Sequence, residues 1–184
     1  MPKAKIKYGP FTTLYKGRIF NIKQREVFYS NGHKELHEYC ERFDSVTILA
    51  FDNKKRLLLT REFRTDEQKY VWFLPTGKID GNEKPHVAAQ RELQEESGFK
   101  AKTMRLVFKR PASSGYFLWN IYVYIAKDLV FNPLKCDEQF AIEVVPTSLK
   151  KATQMALDGT IANQFLAYYI IRIEYMIRQG LLKL

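Results

Sequence analysis

The amino-acid sequence predicts a layered α/β domain, with helices on the faces of a mixed sheet, behind a small antiparallel β-sheet. Three observations support this: short alternating segments before residue 43, strand-like runs around one central helix, and two helical stretches near the C-terminus. The 184 residues are 46% apolar and 27% charged, the composition of an ordinary folded protein. We expect a β appendage over residues 1–43 and an α/β domain over residues 44–184.

The N-terminal segment has the pattern of a small antiparallel sheet. Strand-like runs at Arg18–Phe20, Arg25–Tyr29 and Glu35–Cys40 surround Asn31-Gly32, a dipeptide that favours tight hairpin turns. Short strands bury little apolar surface by themselves, so this sheet should pack on the rest of the chain or on a second subunit. We therefore expect a homodimer.

The rest of the chain alternates between strands and helices. Pro85 suits a first helical turn and Gly98 suits a C-terminal cap, so one helix is expected from Pro85 to Ser97. Two further helices are expected over residues 148–157 and 161–179. Strands are expected over residues 45–51, 56–63, 70–74, 104–109, 119–126 and 140–145.

Charge and cysteine content narrow the functional class. The net charge of +10 indicates a field that attracts anions, including nucleotides, nucleic acids and acidic membranes. Cys40 and Cys136 lack C-x-x-C spacing, so we expect buried free thiols and no zinc site.

The basic N-terminus is not followed by the apolar run of a secretory signal, and Phe165–Ile177 is too short to cross a bilayer. A cytoplasmic protein without a membrane partner is expected.

The central helix carries three carboxylates on one face. Glu92, Glu95 and Glu96 stand at i, i+3 and i+4, within a single turn. Such clusters are usually solvated helix faces, but adjacent anions also repel each other and a hard divalent cation removes that repulsion. Oxygen ligands alone favour Mg²⁺, with Mn²⁺ as a possible substitute, and a phosphate-containing substrate commonly completes the shell of such a cation.

The residues around this helix resemble the Nudix box, G-x5-E-x7-R-E-U-x-E-E-x-G-U, in which U is apolar. Gly77, Glu83, Arg91 and Glu92 fill the specified positions in order, followed by Glu95, Glu96, Gly98 and Phe99. A complete match should arise by chance in a chain this long on the order of once in ten million. The resemblance implies a Nudix-type α/β/α sandwich and a pyrophosphatase, which is a hydrolase acting on phosphoric anhydrides.

The resemblance also implies roles for the residues of the box. Glu92, Glu96 and the carbonyl of Thr76 would hold the metal, with Glu95 beside them among the catalytic carboxylates. Gly77 would let the backbone approach the metal or the phosphate. The structural residues of the box would be Glu83 and Arg91, joined in a bidentate pair that orients the glutamates.

A general base must take the proton of the attacking water. In the ADP-ribose pyrophosphatase branch this role falls to a glutamate in a loop after the box, just before a strand. Cys136, Asp137 and Glu138 precede a predicted strand here. Glu138 is therefore the candidate base, with Asp137 second, although two acids in a turn are also ordinary turn composition.

Features outside the box resemble the ADP-ribose and nucleoside-diphosphate-sugar pyrophosphatases. These features are the N-terminal segment, the Glu41-Arg42 pair and the Arg61–Arg64 run. The resemblance implies that Phe20 stacks on the base, Arg42 lies beside it and Arg64 reaches a phosphate or the second sugar. The expected substrates are nucleoside-diphosphate sugars: ADP-ribose and ADP-, GDP- and UDP-sugars.

One departure keeps alternatives open. The ADP-ribose branch usually has proline where this chain has Ser114, and Tyr116 is similar to a tyrosine of diadenosine-polyphosphate hydrolases. A diadenosine-polyphosphate hydrolase or an RNA 5′-pyrophosphohydrolase is therefore the alternative. Basic charge by itself shows only a field that attracts anions. Nucleic-acid binding is typically indicated by basic runs with interleaved aromatic residues, and only Lys100–Lys109 resembles such a run. Nucleic acid is thus an unlikely partner, and the complete box argues against an inactive binding module.

Overall fold

The computed structural model describes residues 5–111, 115–136 and 139–184. The chain divides into two compact units. The first contains the chain up to Asp44 and the return segment Arg110–Ile121, and the second contains Ser45–Lys109 and Tyr122–Leu184. The predicted boundary at residue 43 places this return segment in the α/β domain, whereas in the structure it belongs to the first unit.

The described residues form twelve strands and three helices. The strands are β1 (Ile6–Tyr8), β2 (Thr12–Lys16), β3 (Phe20–Tyr29), β4 (Lys34–Arg42), β5 (Ser45–Ala50), β6 (Leu57–Arg64), β7 (Lys69–Phe73), β8 (Thr76–Lys78), β9 (Phe99–Pro111), β10 (Phe117–Leu118), β11 (Asn120–Phe131) and β12 (Glu143–Thr147). The helices are α1 (Pro85–Ser97), α2 (Leu149–Leu157) and α3 (Gln164–Arg178).

The first unit is built on one five-stranded sheet in the order β1-β3-β4-β10, with β2 also paired to β3. Strands β3 and β4 form the expected hairpin, in which Phe20 pairs with Arg42 and Phe28 with Lys34. Gly32 in the turn has a φ of 83°, a left-handed conformation that glycine adopts without strain. Strand β10 joins β4 in parallel, so the sheet is mixed at that edge.

The second unit has two sheets, in the orders β8-β5-β11-β9 and β12-β6-β7. Helix α1 packs on β5 and β8, and α2 packs on α3. The core beneath α1 joins Ala88, Ala89 and Leu93 to Val46 and Ile48 of β5. All five side chains are fully buried, so α1 is held firmly over the sheet.

Helix α1 begins and ends where the sequence predicts. Pro85 stands in its first turn, and Gly98 takes a left-handed φ of 76° while its N–H donates to the carbonyl of Gln94 at 3.1 Å. Helix α3 begins at Gln164, three residues later than expected. Asn163 sets this start because its side chain accepts hydrogen bonds from the N–H groups of Phe165 and Leu166.

Other boundaries differ from the prediction for physical reasons. Strand β9 starts at Phe99 rather than at residue 104, since an edge strand tolerates the exposed lysines that interrupt the apolar pattern. Strand β12 starts at Glu143 rather than at residue 140. Cys40 and Cys136 are free thiols but only half-buried, so the expectation of full burial is wrong. Within the described residues, no helix is long and apolar enough to cross a membrane.

Candidate active site

The box residues enclose a cavity between β8 and α1. Strand β8 pairs with β5, with Gly77 opposite the buried Val46, which places Thr76–Lys78 next to the helix. The cavity has a volume of about 260 Å³. Its lining is strongly polar and consists of Thr76, Gly77, Lys78, Asp80, Arg91, Glu92, Glu95, Glu96 and Cys136.

Arg91 organises the carboxylates around this cavity. Its Nε and Nη2 donate to the two oxygens of Glu83 at 3.1 and 3.0 Å, which makes a bidentate pair. Its Nη1 donates to Glu92 at 2.8 Å and to Glu95 at 2.9 Å. Nη2 also donates to the carbonyl of Lys78 at 3.1 Å. One guanidinium thus joins three carboxylates of the motif to the β8 backbone.

These contacts keep the pair charged. The hydrogen bond from Arg91 lowers the pKa of Glu83 below its ordinary value of 4.5, against the opposing effect of burial. The same hydrogen bond, together with the charge of Glu92 and the hydrogen bonds to Glu92 and Glu95, raises the pKa of Arg91. The Arg91–Glu83 pair is therefore ionised at neutral pH.

Glu92 is a buried carboxylate pressed against a glycine. The residue is only 8% exposed, and a buried charge needs a partner, which Arg91 supplies. A Cβ on Gly77 would overlap the carboxylate carbon and both oxygens of Glu92, far inside the 3.0 Å limit of real contacts. The absence of a side chain at Gly77 therefore makes the space that Glu92 occupies.

Glu96 is held by the strand backbone. The N–H of Thr76 donates to Oε2 of Glu96 at 3.0 Å, and the Thr76 hydroxyl donates to that of Thr47 at 3.4 Å. The structure therefore brings all three proposed metal-binding residues, Thr76, Glu92 and Glu96, to one cavity, with Glu95 beside them.

The donor atoms of the cavity fit a hard divalent cation. They are carboxylate and backbone oxygens, and the described lining contains no histidine. The space that Gly77 leaves for the Glu92 carboxylate also supports a cation site at this cavity. Among the described residues, no group of three His, Cys, Asp or Glu side chains is placed so that it could hold a metal ion by itself. The carboxylates point to Arg91 and to the Thr76 amide, so a cation would share them with these donors.

Two of the expected substrate-binding residues are neighbours. Phe20 and Arg42 are cross-strand partners in the first unit and line a cavity of about 140 Å³ with Phe43. The Arg42 guanidinium lies over the ring of Trp119, 5.4 Å from its centroid. Arg64 belongs to the second unit, where it pairs with Glu62 at 3.2 Å and lies over the ring of Phe73 at 4.3 Å.

Some site residues lie beyond the prediction or beyond the described residues. Ser114, Asp137 and Glu138 are outside the described residues, so the role of Glu138 stays a prediction. The cavity also contains Asp80 and Cys136, which sequence reasoning did not assign to it. Asp80 lies three residues before Glu83 and Cys136 two residues before Glu138 in the sequence, and this nearness to assigned residues was a signal that could have found them.

Comparison with known proteins identifies the family. The NUDIX domain model matches residues 41–153, more than half of the chain. The chain is 26% identical to a methanol dehydrogenase activator of Bacillus methanolicus, over 92% of this chain and 91% of the relative. It is 24% identical to an ADP-ribose pyrophosphatase of Bacillus subtilis (strain 168), over 85% and 86%.

A solved structure gives the same result for the fold. A crystal structure of an ADP compounds hydrolase superposes with a TM-score of 0.78 and 26% identity, covering 98% of this chain and 97% of that one. The chain belongs to the Nudix hydrolase family, in the branch of ADP-ribose pyrophosphatases and ADP compounds hydrolases. The predicted fold class, family and enzyme class are thereby confirmed.

Proposed function

We propose that this enzyme is a Mg²⁺-dependent pyrophosphatase that converts nucleoside-diphosphate sugars, including ADP-ribose and ADP-, GDP- and UDP-sugars, to a nucleoside monophosphate and a sugar phosphate. The observation that carries the proposal is that Glu92, Glu95 and Glu96 line one cavity, with Glu92 and Glu95 hydrogen-bonded to Arg91. Relatives matched along most of the chain are named ADP-ribose pyrophosphatase and ADP compounds hydrolase, which supports this substrate class.

The proposed ligands of the metal are Glu92, Glu96 and the carbonyl of Thr76, with Mn²⁺ as a possible substitute for Mg²⁺. When bound, the cation would neutralise phosphate charge and lower the pKa of a water molecule. Arg91 would keep Glu92 and Glu95 at the cavity, because its Nη1 donates to both carboxylates.

The proposed chemistry is a displacement at phosphorus. A water oxygen forms a bond to one phosphorus while the bond from that phosphorus to the bridging oxygen breaks. The bridging oxygen leaves with its electron pair as part of the second phosphate. Glu138 is the proposed base that takes the water proton, with Asp137 as the second candidate. Glu138→Gln should then lower kcat and leave the affinity for Mg²⁺ nearly unchanged.

The substrate ends would be held by aromatic and guanidinium groups. Phe20 is 43% exposed at the small cavity of the first unit, so its ring is available to stack on a nucleobase. Trp119 supports the Arg42 guanidinium next to it. Arg64 is the proposed contact to a phosphate or the second sugar. Phe20→Ala should mainly raise KM, because stacking acts equally on substrate and transition state.

A homodimer through the first unit is part of the proposal, with residues 1–43 as the dimerisation appendage. This unit exposes many large apolar side chains, more than isolated surface residues would explain. They include Tyr8, Phe11, Leu14, Tyr15, Ile19, Phe20, Leu36 and Phe43. Light scattering should give twice the chain mass, and Leu14→Glu should lower it to that of one chain. The matched control is Leu157→Glu in α2, another exposed leucine, which should leave the mass unchanged.

The decisive test is a product assay on the purified protein with Mg²⁺. ADP-ribose, several nucleoside-diphosphate sugars, diadenosine polyphosphates and 5′-triphosphorylated RNA are offered side by side. A nucleoside monophosphate plus a sugar phosphate is the expected result, and relative kcat/KM values rank the sugars. Activity confined to RNA, or to diadenosine polyphosphates, would overturn the proposed substrate class and leave the pyrophosphatase assignment intact.

A further inference from the structure

The cavity between β8 and α1 is lined by two cationic side chains within the described part of the chain. They are Lys78 and Arg91, and four carboxylates line the cavity with them. Arginine and lysine bind phosphate through charge-assisted hydrogen bonds, the kind of contact that an anionic pyrophosphate needs beyond a metal ion. These two residues are therefore the candidates for direct contact with a substrate phosphate at this cavity.

The guanidinium of Arg91 is fully occupied within the protein. A guanidinium has five N–H donors. Its Nε and one N–H of its Nη2 donate to Glu83. The two N–H groups of Nη1 donate to Glu92 and Glu95, and the second of Nη2 donates to the carbonyl of Lys78. A phosphate bound to Arg91 would therefore have to displace a buried or half-buried carboxylate or the strand carbonyl, which would leave that acceptor without its donor.

Lys78 has a partner that it can exchange. Its Nζ lies 3.0 Å from Oδ1 of Asp80, and Oδ2 of Asp80 lies 3.8 Å from Nη2 of Arg91. The Asp80 carboxylate thus joins the ammonium to the guanidinium at the edge of the cavity. The side chains of Lys78 and Asp80 are 62% and 56% exposed, so water screens this ion pair and it contributes little to stability. An ammonium also has three N–H donors, which allows it to bind a phosphate beside or instead of Asp80.

We propose that Lys78 is a substrate-binding residue whose ammonium contacts a phosphate of the pyrophosphate, and that Asp80 weakens this contact by competing for the same charge. This inference rests on the proposed function, because it names the protein cation that binds the substrate of that reaction. The backbone of Lys78 is held in place, since its residue pairs with Ser45 of β5 and its carbonyl accepts from Arg91. The flexible four-carbon stem lets the ammonium move from Asp80 to a phosphate.

The first test compares two lysines on either side of the same loop. Lys78→Met keeps an unbranched apolar stem and removes the charge. It should raise KM for a nucleoside-diphosphate sugar about tenfold and change kcat less than about threefold, because the contact is made in both substrate and transition state. Lys84→Met is the matched control, since Lys84 is an exposed lysine before α1 that is absent from the described lining of the cavity. It should change KM less than about twofold, because it alters only the distant field.

Two further variants test the charge and the competition. Lys78→Arg should keep KM within about threefold of wild type, because a guanidinium also binds phosphate. Asp80→Asn should lower KM about twofold to threefold when Lys78 is present, and should leave it nearly unchanged in Lys78→Met, because its effect requires the ammonium. An equal fall of KM in both backgrounds would overturn the competition by Asp80. Wild-type KM in Lys78→Met would overturn the role of Lys78.

Binding without turnover separates this inference from the proposed function. Calorimetry with inorganic pyrophosphate in Mg²⁺ should give a Kd about tenfold higher for Lys78→Met than for wild type or Lys84→Met. Added salt should weaken binding less in Lys78→Met, because the contact that salt screens is gone. Equal Kd values for wild type and Lys78→Met would overturn the role of Lys78 whatever the activity. The expected difference in Kd, in an enzyme inactive on every nucleoside-diphosphate sugar, would support Lys78 and count against the proposed function alone.

Discussion

Replacement of Gly77 by alanine should remove most of the turnover and leave the fold nearly as stable as before. The added Cβ would overlap the carboxylate carbon and both oxygens of Glu92, well inside the 3.0 Å below which real Cβ contacts essentially never occur. Glu92 is 8% exposed and has little room to adjust in place. Its carboxylate must therefore retreat from the strand by about 1 Å or more.

The expected losses of stability and of kcat/KM depend on which atoms the new Cβ displaces. The Glu92 carboxylate is the far end of a flexible side chain, so the fold can yield at the cost of a strained rotamer, about 0.5–1.5 kcal/mol. Turnover depends on the position of the same carboxylate, and a displacement of about 1 Å can cost about 100-fold in rate. Gly77→Ala should thus lower kcat/KM about 100-fold, or about 2.7 kcal/mol of transition-state stabilisation.

The assay measures kcat/KM over a range of Mg²⁺ concentrations and the urea midpoint of the same preparations. Gly81→Ala is the control in the same loop, where the new Cβ meets nothing within 4 Å but the φ of +46° disfavours a side chain. It should lose about 1 kcal/mol of stability and keep its turnover. Near-normal kcat/KM in Gly77→Ala would refute the idea that the position of Glu92 limits the reaction.

The remaining predictions concern the charges around the same cavity. Glu96→Gln should lower kcat about 100-fold or more with an unchanged melting temperature, because the amide oxygen can still accept from Thr76; normal turnover would reject Glu96 as a metal ligand. Arg91→Met should cost about 2–4 kcal/mol in urea unfolding, since its carboxylate partners lose their donor, and a loss under about 1 kcal/mol would contradict this. Arg91 lowers the pKa of Glu83 below 4.5, so this stabilisation is complete above pH 4.5 and is lost as the pH falls through the lowered pKa. The wild-type urea midpoint should therefore fall more steeply below that pH than the midpoint of Arg91→Met.

Features that depend on local chemistry could be predicted from the sequence. Pro85 and Gly98 set both ends of α1 because each imposes a backbone conformation without help from the rest of the chain. The Asn31-Gly32 turn likewise sets the register of the β3–β4 hairpin. The spacing of the box predicts which residues share the cavity, because helical periodicity places the three glutamates on one side.

Features that depend on contacts between distant segments could not be predicted in this way. The return segment joins the first unit because the N–H of Cys40 donates to the carbonyl of Tyr116 at 2.8 Å and the N–H of Asn120 donates to Asp44 at 2.7 Å. Nothing in the local pattern of β10 indicates a parallel pairing with β4. Gln94 is buried for the same reason, since the carbonyl to which its side chain donates lies 38 residues further along the chain.

The charges in the cavity give a physical reason for a metal requirement. Glu83, Glu92 and Glu95 surround one guanidinium, Glu96 lies beside them, and the cluster is therefore negative within a chain of net charge +10. The overall field attracts an anionic pyrophosphate, but the carboxylates repel it at close range. A divalent cation would reverse that repulsion, so removal of metal with EDTA should weaken substrate binding as well as stop turnover. Equal affinity for a non-hydrolysable ADP-ribose analogue with and without Mg²⁺, measured by calorimetry, would contradict this argument.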